Sequence, residues 1–151
     1  MASETLKPDE LVTQFSVMLH NRAGALAALV KLLRNNAIEV VGISVQDSRD
    51  ATIARLVLTD PEATSHIFME KGIPFTTSPL VVVSLVESGP GLLQVLDTMM
   101  VGETNIDFAY ALMPSDKGNS LLALHVEDTE FAMQILNQAG FKLLRQGDLS
   151  R

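Results

Sequence analysis

The sequence repeats itself once, at a spacing of 67 to 68 residues. Gly91 lies 67 residues after Gly24, and Leu96 lies 67 residues after Leu29. Farther along the spacing is 68, in the pairs Ile38 and Ile106, Asp60 and Asp128, Glu62 and Glu130, Ile67 and Ile135, and Gly72 and Gly140. Matches in phase over most of the chain indicate an internal duplication. We therefore expect an N-terminal segment over residues 1–12, repeat 1 over 13–78 and repeat 2 over 79–147.

Repeat 1 predicts the element order βαββαβ. Residues 15–19 form an apolar strand, and Leu26, Leu29, Val30 and Leu33 fall on one helical face. Residues 38–45 and 53–58 are β-prone and flank a polar turn at 47–50. Asp60, Pro61 and Glu62 are typical of a helix start and Gly72 of a helix end. A last strand at 73–77 is expected to break at Pro79.

Repeat 2 predicts the same order. Strands are expected at 80–86, 106–112, 121–126 and 141–144, with a turn at 88–91 and a second helix between Asp128 and Gly140. The core face of its first helix is expected to consist of Leu92, Leu93, Leu96, Met99 and Met100. Two helices on one face of a four-stranded antiparallel sheet form a ferredoxin-like unit, so the predicted fold class is α+β.

Charge and composition exclude several function classes. The net charge is −7, which disfavours direct binding to nucleic acids or anionic membranes, and only Phe108 and Tyr110 are candidates for stacking on RNA bases. The chain has no cysteine, no apolar stretch of about 20 residues and no visible signal peptide, so we expect a cytoplasmic location. The three histidines, His20, His66 and His125, are dispersed and predict no metal site, and no cofactor motif is present.

The two turns that precede a helix, at Gly24 and Gly91, carry the chemistry. A helix start exposes unpaired N–H groups and partial positive charge, and glycine lets a ligand approach the backbone. This arrangement suits a carboxylate. The turn alone equally fits a place where a helix meets a sheet and only a small residue fits.

The segment from Val17 to Leu26, which reads VMLHNRAGAL, resembles the first strand and loop of ACT domains, where the usual pattern is Asn-x-Pro-Gly-x-Leu. The second turn, Ser88 to Leu93, contains the Pro-Gly pair that the first lacks. The resemblance covers residues 13–145 and is greatest to the serine-binding regulatory domain of phosphoglycerate dehydrogenase. It implies two ACT repeats packed as a pseudo-dimer, a free amino acid bound at their interface and no enzymatic activity. Because single ferredoxin-like sheets leave edge strands and one face open, we also expect a homodimer or a larger assembly.

The resemblance also implies the site residues. In serine-binding members one Asn comes from the first loop of one domain, and another comes from the start of the second strand of its partner, just before an Ile. Asn21 matches the loop position and Asn105 the strand position. The implied ligand-binding residues are Leu19, His20, Asn21, Arg22, Ala23, Gly24, Ala25, Leu26, Asn105 and Ile106.

A second, weaker site is implied at Ser88, Gly89, Gly91, Leu92 and Ile38. Here Ser88 takes the loop position, and Ala37, before Ile38, takes the strand position. Because Ala37 cannot accept a hydrogen bond from a ligand ammonium, the first site is expected to bind an amino acid better. Leu19 replaces the His of serine sensors and Ala23 replaces the Pro, which leaves the identity of the amino acid open.

Two alternatives remain. An enzyme on the same fold is the first, but the Gly-x-Val-Gln-Gly phosphate loop of acylphosphatases, a Gly-x-Ser-x-Gly motif and a P-loop are all absent from the sequence. The second is a ligand-free interaction protein that controls a partner enzyme or transcription regulator.

Overall fold

The computed structural model describes residues 6–20, 23–47, 50–85, 91–113 and 119–150. The chain divides into two units. The repeat 1 unit contains Thr13–Ser78 with Leu149–Arg151, and the repeat 2 unit contains Met1–Val12 with Pro79–Asp148. The N-terminal segment thus belongs to the unit built from the second repeat.

The repeat 1 unit has the strand order β4-β1-β3-β2. Its elements are β1 (Val12–Leu19), α1 (Ala25–Asn35), β2 (Val40–Asp47), β3 (Thr52–Leu58), α2 (Pro61–Lys71) and the first part of β4 (Phe75–Leu85). β3 pairs antiparallel with β1 and with β2, and β1 also pairs with β4.

The repeat 2 unit has the equivalent order β7-β4-β6-β5. Its elements are the 3-10 turn Pro8–Glu10, the second part of β4, α3 (Leu92–Val101), β5 (Ile106–Leu112), β6 (Ser120–Val126), α4 (Thr129–Gln138), β7 (Lys142–Leu144) and α5 (Gln146–Leu149). β4 pairs antiparallel with β6 and β7, and β6 pairs antiparallel with β5. Both units therefore confirm the predicted ferredoxin-like repeats.

Each unit has its own apolar core between helices and sheet. In repeat 1 the rings of Phe15, Phe68 and Phe75 lie 5.5 to 5.9 Å apart, two of the three pairs edge to face. Such pairs add about 0.5–1.5 kcal/mol each beyond the area they bury. The repeat 2 core is mostly aliphatic and includes Leu6 and Leu11 from the N-terminal segment.

Structurally equivalent residues of the two repeats are separated by 66 or 68 positions in the sequence. Val40 pairs with Leu58 as Ile106 pairs with Val126, and a register shift follows in both hairpins. Thus β2 corresponds to β5 at an offset of 66, whereas β3 corresponds to β6 at 68. The predicted offset of 67 for the first helix is one residue too long.

The predicted caps of the second helix in each repeat are confirmed. Asp60 accepts a hydrogen bond from the Ala63 N–H at 3.0 Å, and Asp128 accepts one from the Phe131 N–H at 3.0 Å. Gly72 ends α2 with φ 68° in the left-handed region, where glycine pays no steric penalty.

Two sequence predictions are wrong. β4 continues through Pro79, because an exposed extended position, where the chain passes from the segment beside β1 to the segment beside β6, accepts a residue without an N–H. The core face of α3 consists of Val95 and Met99, whereas Leu92, Leu93, Leu96 and Met100 are exposed. Seven of its ten residues are apolar, so periodicity alone did not identify the buried face.

Candidate functional site

None of the described side chains caps the start of α1. Gly24 is the N-cap with φ 86°, and the first turn, Ala25 to Ala27, contains no acidic residue. No side chain of the described residues accepts a hydrogen bond from this cap, so the N–H groups of the first turn face solvent or a ligand. This turn can donate hydrogen bonds to a carboxylate.

Asp side chains cap the second helix of each repeat, whereas at α3 a side chain accepts only from the N–H of the N-cap residue itself. Asp60 and Asp128 cap α2 and α4, and at α3 the Gly91 N–H donates to Gln94 Oε1 at 2.8 Å. Gln94 is the third residue after the N-cap of α3, and the third residue after the N-cap of α1 is Ala27. The sequence analysis missed Gln94, although a glutamine three residues after an N-cap is a recognised signal for this contact.

The residues around the α1 turn form a mostly exposed surface. His20, Ala23 and Gly24 are exposed, and Ala25 and Leu26 are half-buried. Leu19 packs against the repeat 1 core, so its side chain shapes the turn from below. The predicted residues Asn21 and Arg22 lie outside the described residues.

Asn105 lies at the start of β5 in the repeat 2 unit and is exposed. Its Nδ2 donates to Glu127 Oε2 at 3.3 Å, and its main-chain carbonyl accepts from the Glu127 N–H at 3.4 Å. With the amide nitrogen turned to Glu127, the side-chain carbonyl oxygen is the atom suited to accept from an ammonium. The next residue, Ile106, packs against the repeat 2 core.

The strand position of the second predicted site requires a correction. The Thr59 N–H donates to the Glu39 carbonyl at 3.1 Å, as the Glu127 N–H does to Asn105, so Asn105 corresponds to Glu39 rather than to Ala37. Ile38 is 2% exposed and belongs to the repeat 1 core, so its side chain is not available to a ligand. The expected lack of an acceptor at this position is therefore wrong, because Glu39 supplies a carboxylate.

The remaining residues of the second predicted site are only partly described. Gly91 uses its N–H for Gln94, and Leu92 is exposed. Ser88 and Gly89 lie outside the described residues. Within each unit, the loop before the first helix and the start of the following strand lie at opposite ends of that helix, about 15 Å apart for the ten residues of α3.

The histidines outside the loop have no catalytic arrangement among the described residues. His125 Nδ1 lies 2.9 Å from Asp107 Oδ2, and its ring stacks on Phe108 at 4.5 Å. His66 is exposed on α2. The described ranges contain no group of three His, Asp or Glu residues that could hold a metal ion, and none of their helices is long and apolar enough to cross a membrane.

The comparisons with known proteins agree with this architecture. The model of the ACT domain pair family matches residues 10–151. The chain belongs to the ACT domain pair family. This ACT domain pair is therefore a regulatory module by type. No curated protein matches its sequence.

Solved structures share the fold of this ACT domain pair. Protein BT0572 from Bacteroides thetaiotaomicron is similar with a TM-score of 0.84 and 18% identity, over 94% of this chain and 97% of that one. The ligand-free regulatory subunit of aspartate kinase from Thermus thermophilus has a TM-score of 0.57 and 17% identity, over 89% and 96%. That subunit from Thermus flavus has a TM-score of 0.51 and 20% identity, over 85% and 93%.

Proposed function

We propose that this ACT domain pair is a non-catalytic regulatory module that binds a free amino acid. The observation that carries the proposal is the start of α1, where none of the described side chains caps the helix and the first turn contains no acidic residue. A ligand carboxylate there would accept from the N–H groups of the first turn and gain about 0.3–1 kcal/mol from the helix dipole. The solved structures of aspartate kinase regulatory subunits support a regulatory role by their shared fold.

We propose that the ligand ammonium donates hydrogen bonds to asparagine side chains. Asn21, in the loop before α1, and Asn105, at the start of β5, each offer a carbonyl oxygen as acceptor. An ammonium that loses one such partner on binding forfeits about 1–3 kcal/mol.

The proposed site is stronger than its counterpart in repeat 2 for a reason different from the predicted one. At α3 the Gly91 N–H already has Gln94 as its acceptor, so one donor fewer is open to a ligand carboxylate there. At α1 the position of Gln94 is occupied by Ala27, which offers no competitor. The asymmetry therefore rests on the helix starts and not on the strand residues.

The first experiment is a thermal melting screen with each of the common amino acids, followed by calorimetric titration. A ligand at 100 times its dissociation constant adds about 2.7 kcal/mol of stability. We expect one amino acid or one chemical class to bind, and Asn21→Ala or Asn105→Ala to weaken its affinity about ten- to hundred-fold. Ser88→Ala is the matched control and should change little.

Two results would contradict the proposal. A screen in which no amino acid raises the melting temperature would favour the ligand-free interaction protein. Binding that survives both asparagine substitutions but is lost in Ser88→Ala would move the site to repeat 2.

A further inference from the structure

The repeat 2 unit exposes several apolar side chains on its helices, which we call the α3 patch. It consists of Leu92, Leu93, Leu96, Met100, Val101 and Phe131, whose exposed fractions range from 39% for Phe131 to 79% for Val101. Leu93, Leu96 and Met100 are spaced i, i+3 and i+7 and so lie along one face of α3. This face differs from the core face formed by Val95 and Met99.

Phe131 of α4 lies beside the end of α3, on the side of that helix that faces α4. A Cβ atom added to Gly102 would lie 2.7 Å from Ile135 Cδ1 and 3.4 Å from Phe131 Cε2. These short distances show that the two helices approach each other closely at this end. The patch therefore spans two helices of one unit.

The C-terminal part of this face is polar in repeat 1. At the offset of 66, Met100 corresponds to Arg34 and Val101 to Asn35, which are exposed on α1, and Leu93 corresponds to the smaller Ala27. Leu92 and Leu96 correspond to the half-buried Leu26 and Val30. Because the ferredoxin-like fold forms in repeat 1 without large apolar side chains at the positions of Leu93, Met100 and Val101, the fold does not require them in repeat 2. Their exposure there indicates an interaction surface.

The charged residues near α3 in the described part of repeat 2 are acidic. Between Leu80 and Phe141 the sequence has a single basic residue, Lys117, which lies outside the described residues. The acidic residues beside the patch are all exposed and are Asp97, Glu103, Glu127, Asp128 and Glu130. The last four line an open cleft of about 630 Å³ together with Phe131.

The apolar side chains and the nearby carboxylates indicate which kind of partner can bind the α3 patch. A second copy related by twofold symmetry would bring the same carboxylates toward each other, which costs energy. A cationic partner instead gains from each carboxylate at the rim.

We propose that the α3 patch docks an amphipathic helix of another protein, with leucine-like residues on one face and Lys or Arg along its edges. The apolar face would cover Leu93, Leu96 and Met100 as a helix-in-groove contact. The basic residues would meet Glu103 and Glu130 at the rim and accelerate association at low salt. This surface is separate from the loop before α1 and does not depend on whether an amino acid binds there.

The test uses a labelled 18-residue peptide of Leu and Lys with helical periodicity and measures its binding by fluorescence anisotropy. Two peptides serve as controls, one of the same composition in scrambled order and one with Glu in place of Lys. We expect Leu93→Ser/Met100→Ser to weaken binding of the periodic peptide at least ten-fold, and Glu103→Gln/Glu130→Gln to weaken it mainly at low salt. The matched change in repeat 1, Ala27→Ser/Arg34→Ser, should not weaken it.

Three outcomes would overturn the proposal. The first is equal affinity for the scrambled and periodic peptides, and the second is unchanged affinity in Leu93→Ser/Met100→Ser. The third is a dimer in light scattering that Leu93→Ser/Met100→Ser dissociates, because a second copy would then occupy the patch. Amino-acid titration of the same variant should match the wild type, so failure of this proposal and failure of the proposed function remain distinguishable.

Discussion

Two residues that are not glycine hold the left-handed conformation where a helix ends. Ala37 follows α1 with φ 61°, and Glu103 follows α3 with φ 52°. In both places the next N–H returns to the last helical turn, from Ile38 to the Leu33 carbonyl and from Thr104 to the Met99 carbonyl, each at 3.0 Å. The left-handed conformation costs an L-residue about 1–2 kcal/mol.

Glycine at either position should stabilise the protein. Glu103→Gly and Ala37→Gly remove the steric cost, and the greater freedom of glycine in the unfolded chain offsets about 0.4–1 kcal/mol of that gain. We expect a net increase of about 0.5–1 kcal/mol in the free energy of unfolding, measured by urea denaturation. Glu103→Ala should bring no such gain, and Gly140→Ala, at φ 90°, should be destabilising. A loss of stability in both glycine variants would show that the turn is not strained.

Individual residues also show which structural features could be predicted from the local sequence. The Asp-Pro-Glu run and the second Asp predicted the caps at Asp60 and Asp128, because an N-cap side chain acts on N–H groups only two or three residues away. Ala37 gave no warning of its conformation, because alanine has no preference for the left-handed region. The Asn21 loop was recognised by its pattern, but the strand position in repeat 1 that was predicted to partner the Ser88 loop was misplaced by two residues.

At the scale of elements, α3 shows why a helix can be predicted while its buried face is not. A one-residue error rotates the face of a helix by about 100°. The duplication spacing of 67 carried that error, since it aligned exposed Leu96 with buried Leu29. In the first helix of repeat 1, polar residues such as Lys31 and Arg34 mark the outer face, and the prediction there succeeded.

Two neighbouring methionines of α3 provide a matched test of its orientation. Met99 is 1% exposed and Met100 is 68% exposed. We expect Met99→Ala to lower the free energy of unfolding by about 2–5 kcal/mol through the cavity it leaves. Met100→Ala should stay within about 0.5 kcal/mol of the wild type. Chemical denaturation compares the two directly, and equal losses would mean that the helix faces are assigned wrongly.

At the scale of the whole molecule, the two repeats carry very different charge. Repeat 1, residues 13–78, has six basic and six acidic residues, whereas residues 79–147 have three basic and eight acidic ones.

The duplication was visible in the sequence because strands, caps and turns kept their spacing. The place of the N-terminal segment was not visible, because its contacts join residues more than 100 positions apart and leave no local pattern.

Removing residues 1–11 should destabilise the repeat 2 unit selectively. Leu6 and Leu11 are 8% and 6% exposed in its core, and each buried leucine contributes about 2–5 kcal/mol against truncation. Hydrogen exchange should therefore accelerate more in β5 and β6 than in β2 and β3. Deletion of residues 1–5 alone is the control and should leave exchange in β5 and β6 nearly unchanged. Equal acceleration in both hairpins would contradict the assignment of the segment to repeat 2.

Because the N-terminal segment belongs to the repeat 2 unit, its folding is delayed during synthesis on the ribosome. Glu10 accepts a hydrogen bond from Arg145 Nε, and the two residues are separated by 135 positions in the chain. At about 5–20 residues per second, the N-terminal segment waits roughly 7–30 s for the residues it contacts. Repeat 1 can close its core during that interval, while Leu6 and Leu11 remain exposed outside it. These residues leave the ribosome well before the residues they contact and are therefore among the last to reach their native contacts, and chaperones that bind apolar segments have that interval in which to act.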